Sequence, residues 1–576
     1  DIPYESFTLP NGLRVLVHTD RKAPIVAVNI WYHVGSKNEP LGRSGFAHLF
    51  EHLMFQGSEN HKGEFFEPFE LVGATDQNGT TNTDRTNYFQ NVPTTALDMA
   101  LWMESDRMGH LLGAIDQADL DEQRGVVQNE KRQGENQPYG RVWENIFSAS
   151  YPAGHPYHHS VIGSMNDLNA ATLSDVKDWF KSWYGPNNAV LVLAGDIDLA
   201  TAKAKALKYF GDIPATASVK KMPPMVEKRT ASTRDTMTDQ VPQTRIYRTW
   251  NIPAVDSEVT DRMNLVSQVL GGSRSSRLDK RLVFQDKLAD SVSAFAWGSE
   301  LGGLFIVQVD VKQGVDPAKV EAALDEELNK LIATGPTEAE LAQAKTVIEA
   351  GFVRGIERIG GFGGKADVLA ECAVFTGDPA CYAKTLSVIE QSTVKDIQAT
   401  AAEWLNSGDY TLTVVPGERK PVVEAPAIKD LKPSVIPPAD PKFTTVPSTV
   451  DRSLGVPETD RFPSLEFPFQ HRATLSNGTK VLLAERPGLP VVQISMQFEG
   501  AGFASDTSGK DGLASFTTGM MDEGSGQLDA LAFADRAEAL GAIINTGATL
   551  DTSNVSLSAL SENLDDSLAL FTDVLL

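Results

Sequence analysis

The chain has 576 residues, 41% hydrophobic and 22% charged, an ordinary globular composition long enough for several domains, since single cores stop growing at about 250–300 residues. Its 76 acidic and 51 basic side chains give a net charge of −25, which argues against non-specific binding to nucleic acid or anionic membranes. No apolar run reaches the roughly 18 residues of a membrane span, and the two cysteines have no zinc-finger spacing.

The chain opens at Asp1 rather than Met, which implies removal of a leading segment. "ESFTLPNGLRVLVHTD" alternates apolar residues around Asn11-Gly12 and predicts a hairpin with a type I′ turn. "IVAVNIWYHV" predicts a third strand, and an amphipathic helix follows around His48. "EFFEPFELVGA" has helical spacing, whereas "TTNTDRTNYFQNV" is threonine-rich and reads as a strand. "TALDMALWMESDRMGHLL" and "DQADLDEQRGVVQNEKRQGE" read as helices, and "NNAVLVLAGDI" as an apolar strand. Strands and helices mixed behind an early hairpin predict an α+β fold rather than a doubly wound sheet.

The first unit is placed at 1–225 and a second α+β unit at 240–416, ending on the strand "YTLTVVPG". Residues 417–470 are proline-rich with little periodicity and predict a semi-extended linker. At 471–576 the sequence begins again. "TLSNGTKVLLAERPGLPVVQISM" (474–496) parallels "TLPNGLRVLVHTDRKAPIVAVNI" (8–30), and "KDGLASFTTGMMDEGS" parallels "RSGFAHLFEHLMFQGS". This predicts duplication of a large domain rather than a solenoid. The second copy has Ser515, Thr518 and Gly519 where the first has His48, Glu51 and His52. It stops opposite Gly109 in mid-helix, so the second half is expected to be incomplete and the chain truncated.

His48 and His52 are four residues apart, which on a helix places both imidazoles on one face. Imidazole suits zinc, and a catalytic zinc site uses three protein ligands and one open position. Glu51 sits beside that face, where a carboxylate can take a proton from an activated water and pass it on. The order is HxxEH, the inverse of HExxH. A third ligand is sought in "LDEQRGVVQNEKRQGE", among Glu122, Glu130 and Glu135. Gly125, Val126 and Val127 suggest that this helix is partly buried, so Glu130 just beyond them needs a partner, either a metal or an arginine.

HxxEH, a glutamate 78 residues after Glu51's neighbour His52, and a duplicated domain with a degenerate second copy together resemble the pitrilysin/insulinase zinc peptidases, relatives of mitochondrial processing peptidase. "LGGSRSSRLDKRLVFQDKLADSVSAF" (270–295) and "PTEAELAQAK" (336–345) are similar to that family's second domain. The resemblance implies one zinc ion held by His48, His52 and Glu130, with Glu51 as general base. It also implies a clamshell of two halves acting on peptides. Family members often carry a glutamate seven residues before the third ligand; here Gln123 stands there, beside Glu122. Asn78, Gly79, Thr80 and Thr81 match the family's substrate-binding edge strand, with Gly79 in its alanine position. The family's substrate-binding Arg and Tyr lie in a fourth domain that this chain does not reach. A C-terminal half, a partner subunit or a homodimer is therefore expected to complete the site.

The different-class alternative is a non-catalytic peptide-binding or assembly subunit. Cys372 and Cys381 flank a "TGDP" turn, which suits either a disulfide or two separate buried thiols. "RIGGFGGK" lacks the first Gly and the Ser/Thr of a phosphate loop and reads as a helix-breaking loop. His155, His158 and His159 read as a loop near the cleft. The trimmed start, the cysteine pair and exported family members suggest a periplasmic or otherwise extracytoplasmic location, with the cytoplasm as the alternative.

Overall fold

The structure is a computed structural model that describes residues 1–428 and 435–576; part of the expected linker, 429–434, lies outside the described residues. Strands β1 (Glu5–Thr8), β2 (Arg14–Thr19), β3 (Ile25–Tyr32), β4 (Thr75–Thr81), β5 (Thr86–Pro93) and β6 (Ala189–Gly195) form one sheet in the order β1-β2-β6-β3-β5-β4. Its pairs are antiparallel except β2 with β6. The threonine-rich run expected as one strand is two. Asn82 Oδ1 accepts the N–H groups of Asp84 and Arg85 and turns the chain into the β4–β5 hairpin. The opening hairpin also has a different turn. Gly12 has φ 94° but Asn11 is not among the positive-φ residues, whereas type I′ requires both. The Gly12 N–H donates to Leu9 O, with Pro10 second in a longer turn.

Helices of this stretch are α1 (Phe46–Leu53), α2 (Glu67–Leu71), α3 (Leu97–Gly109), α4 (Gln117–Asn136), α5 (Val142–Ser150), α6 (Met165–Ala170), α7 (Leu173–Trp183) and α8 (Leu199–Phe210). The predicted helix in "EFFEPFELVGA" thus shrinks to the short α2. Asp116 starts α4 by accepting the Ala118 and Asp119 N–H groups, and Asp119 returns the bond to the Asp116 N–H.

The second sheet contains β7 (Thr233–Asp239), β8 (Arg245–Ile252), β9 (Ala289–Trp297), β10 (Gly303–Val311) and β11 (Tyr410–Pro416), in the order β7-β11-β8-β10-β9. It takes in Thr233–Asp239, ahead of the expected start at 240. Its helices are α9 (Glu258–Gly271), α10 (Pro317–Thr334), α11 (Glu338–Gly355), α12 (Lys365–Phe375), α13 (Cys381–Gln391) and α14 (Val394–Trp404).

Each sheet is buried on its second face by helices from the other stretch. Val26, Val28 and Ile30 of β3 face Phe50, Leu53 and Trp102 in the first core. Ala27 and Trp31, on the opposite face, pack with Leu369, Ala370 and Phe375 of α12. In return, Val142, Ile146 and Phe147 of α5 cover Tyr247, Leu304, Ile306 and Leu412 of the second sheet. This reciprocal cover explains why β6, AVLVLAG, is buried along its whole length.

The repeat contains β12 (Gln470–Thr474), β13 (Lys480–Ala484), β14 (Val491–Glu499), β15 (Gly524–Ser525), β16 (Leu528–Asp529), β17 (Ile543–Ala548) and β18 (Thr552–Leu560). Its helices are α15 (Leu513–Thr518), α16 (Ala530–Ala539) and α17 (Leu564–Leu575). The order β14-β18-β17 repeats β3-β5-β4. The likeness extends to helix entry: Gly45 before α1 and Gly512 before α15 both have φ 92°. Glu39 accepts the N–H groups of Gly45 and Ala47, and Asp506 accepts those of Gly512 and Ala514. The proline-rich stretch follows the first unit closely. Thr444 and Val446 donate to Pro10 O and Gly211 O, and Arg452 is buried beneath α3.

Candidate metal centre and active site

Helix α1 presents two chemically distinct sides. Phe46, Leu49, Phe50 and Leu53 are buried, with the Phe50 ring 4.5 Å from Tyr184 and 5.6 Å from Phe180. His48 and His52 emerge toward α4, their ring centroids 4.8 Å apart. Glu39 fixes the entry to the helix at its positive end, the favoured place for a carboxylate. Burial raises the Glu39 carboxyl well above the ordinary range. Because Asp506 does the same beside a helix without histidines, this capping serves the fold.

Glu130 Oε2 lies 3.6 Å from His48 Nε2 and 3.4 Å from His52 Nε2. One ligand atom from each of the three residues lies within 4.8 Å of the others. Tetrahedral zinc with bonds of about 2.0–2.2 Å separates its ligand atoms by about 3.3–3.6 Å, so both distances to Glu130 fit. The expectation of a buried Glu130 is corrected: its side chain is 50% exposed, and Val126 is also exposed. Two histidines, rather than burial, give this carboxylate its partners. His52 holds it below the usual carboxylate range. Burial pushes the His48 imidazole down to about 4, leaving it in the neutral form that ligates metal.

Glu51 is buried beside these groups, and its Oε2 has no hydrogen-bond partner. Burial raises its carboxyl despite the opposing hydroxyl of Thr81 at the end of β4. A carboxylate raised in this way is the stronger base. Gln123 is buried on α4, whereas Glu122 is exposed on the helix surface.

Among the described residues, strand β4 is the outer strand of its sheet and pairs only with β5. Asn78 is exposed and Thr80 and Thr81 are half-buried, with Asn78 opposite Phe89 and Thr80 opposite Asn87. Gly79 has a local cause: a Cβ there would lie 2.5 Å from Phe55 Cζ and 2.8 Å from Tyr88 Cδ1. Alanine at this position therefore meets a ring that this chain places directly beneath it.

Sequence reasoning missed Arg85. It donates to Thr80 O and Oγ1, and its guanidinium lies 4.9 Å from the Trp31 ring. The turn "NTDR" that carries it was hidden inside the apparent single strand. His155, His158 and His159 do not join the three-residue group; their rings bond to Met225 O, Tyr151 O and Ser160 O. Cys372 and Cys381 are joined, with an S–S distance of 2.01 Å, and tie α12 to α13.

The insulinase profile (Peptidase family M16) matches residues 14–163, and the profile of the Peptidase M16 inactive domain matches 170–348. A Helicobacter pylori protein named zinc protease PqqE is 30% identical over 363 residues, covering 62% of this chain and 80% of that protein. The chain belongs to the M16 peptidase family. A Streptomyces coelicolor protein named uncharacterized zinc protease SCO5738 is 26% identical over 69% of this chain and 86% of its own length. The crystal structure of a protease from Helicobacter pylori superposes with a TM-score of 0.66 at 26% identity, covering 72% of this chain and 99% of that one. The periplasmic protease PqqL from Escherichia coli shares the fold across 100% of this chain and 66% of its own, with a TM-score of 0.62 and 20% identity. The "inactive domain" profile falls on the part of this M16 chain that lacks HxxEH.

Proposed function

We propose that this chain is a zinc-dependent endopeptidase that hydrolyses peptides or unfolded segments. The observation that carries the reading is the convergence of His48, His52 and Glu130 at metal-ligand spacing, with the buried Glu51 alongside. Zinc, when bound by those three residues, supplies a Lewis acid that polarises a carbonyl and acidifies water. Glu51 takes the proton from the attacking water and returns it to the leaving amine. Its raised pKa suits both transfers. Strand β4 binds the peptide by strand addition through Asn78, Gly79, Thr80 and Thr81.

The repeat has lost the histidines and kept the helix, which supports a chemical role for them. Among the described residues no helix is long and apolar enough to cross a membrane. The joined cysteines support an extracytoplasmic, periplasm-like location, as does fold similarity to a periplasmic protease. A second subunit or further chain segment completes the peptide site in this reading. Metal analysis tests it: purified wild type should carry one zinc per chain, and Glu130→Gln should lose most of it. A metal-free wild type that still binds peptide would instead identify a non-catalytic peptide-binding subunit.

A further inference from the structure

The glycine-rich stretch "RIGGFGGK" lies against the first sheet, next to the proposed peptide strand. A Cβ on Gly360 would fall 2.0 Å from Asn91 Oδ1 and 2.9 Å from Ala27 Cβ, so no side chain fits there. Gly361 and Gly363 have φ 71° and 67°, the left-handed region that glycine enters at little cost. A Cβ on Gly361 would reach the Asp76 carboxylate at 3.5 Å, which puts the loop beside the bulged start of β4. The base of the loop is closed by the Lys365 N–H to Arg358 O and the Ala366 N–H to Ile359 O. Arg358 also donates to Phe362 O, and the Gly363 N–H donates to Asp367 Oδ2.

At the apex, Phe362 is 49% exposed. Its ring stands edge-on to Phe89, with centroids 4.9 Å apart. An exposed aromatic on a loop tied at both ends is a preorganised contact, with little conformational freedom left to lose on binding.

Strand register gives this ring an occupant. On β5, Asn87 reaches Asp367 of α12, and Phe89 and Asn91 meet the glycine loop, so these alternate residues share one face. Their partners on β4 point the same way: Thr80 lies opposite Asn87 and Asn78 opposite Phe89. A peptide strand added outside β4 continues the row, so its side chain opposite Asn78 lies on the face over which the Phe362 loop sits. We infer that Phe362, braced edge-on by the buried Phe89, forms an apolar subsite selecting an aromatic or large aliphatic peptide residue at the position opposite Asn78. The inference rests on peptide addition to β4 but not on turnover.

The test is equilibrium binding by the full chain carrying Glu51→Gln, which removes cleavage. Fluorescently labelled unstructured peptides differ only by Phe or Gly at each position in turn. At one position the Phe peptide should bind roughly tenfold more tightly. Adding Phe362→Ala should bring that ratio within about twofold, and Phe362→Leu should restore most of it. A loop with only a structural role would weaken both peptides together and leave the ratio intact. An unchanged ratio in Phe362→Ala, or no Phe preference at any position, would overturn the subsite. Phe362-dependent binding without wild-type cleavage would keep the subsite and remove the peptidase reading. Cleavage without the preference would do the reverse.

Discussion

Arg452 places its guanidinium 3.1 Å from Asp106, a fully buried carboxylate 346 positions earlier in the chain. Asp106 also accepts from the Ser58 hydroxyl and the Asn60 side-chain amide, so it joins the proline-rich segment to the loop that follows α1. Removing one partner from a buried ion pair costs about 3–5 kcal/mol because the other charge is left uncompensated. Arg452→Met is therefore expected to lower the stability of the first unit by about 3 kcal/mol, and Arg452→Lys by less. Denaturant unfolding followed by tryptophan fluorescence measures this, with Trp102, whose ring lies 5.4 Å from the guanidinium, among the eight reporters. A Met variant as stable as wild type would show the contact to be dispensable.

Gly79 and Phe55 are expected to couple. Gly79→Ala should lower stability by about 1–3 kcal/mol through overpacking, and Phe55→Leu in the same chain should recover part of that loss. Thermal unfolding of the two single variants and the double variant measures the coupling. Strict additivity would contradict it.

Glu300 gives an acid limb with a defined sign. Burial alone would raise its carboxyl, but His33 at 2.7 Å and the ammonium of Lys37 outweigh burial and hold it at about 2, against an ordinary 4.5. A carboxyl lowered on folding adds stability above about pH 4.5 that is lost as the pH falls toward about 2. The contribution is about 3 kcal/mol. Glu300→Gln should thus be less stable at pH 6 and approach wild type near pH 2. A difference constant from pH 6 to pH 2 would refute the assignment.

Local periodicity made α1 and α4 legible, and the four-residue spacing of His48 and His52 put both on one helix face. Glu130 was singled out from Glu122 and Glu135 only by the family resemblance, and the burial argument for it failed because Val126 and Glu130 itself are exposed. The β4–β5 turn was hidden because its stabilising bonds come from one side chain, Asn82, in an otherwise strand-like run. Periodicity also shows that a helix face is buried without showing what buries it. The reciprocal placement of α5 and α12 was invisible for that reason, as was the partner of Arg452.

Glu51 is proposed to move protons at a metal centre built by His48, His52 and Glu130. Glu51→Gln keeps the size and shape of the side chain and removes the base, so zinc content and peptide cleavage should separate. The direct measurement is zinc per chain together with the cleavage rate on an unstructured peptide, for wild type and Glu51→Gln side by side. Equal zinc is expected, with a cleavage rate at least a hundredfold lower in the variant, about the smallest loss expected for a removed general base. Cleavage at the wild-type rate with zinc still bound would contradict it.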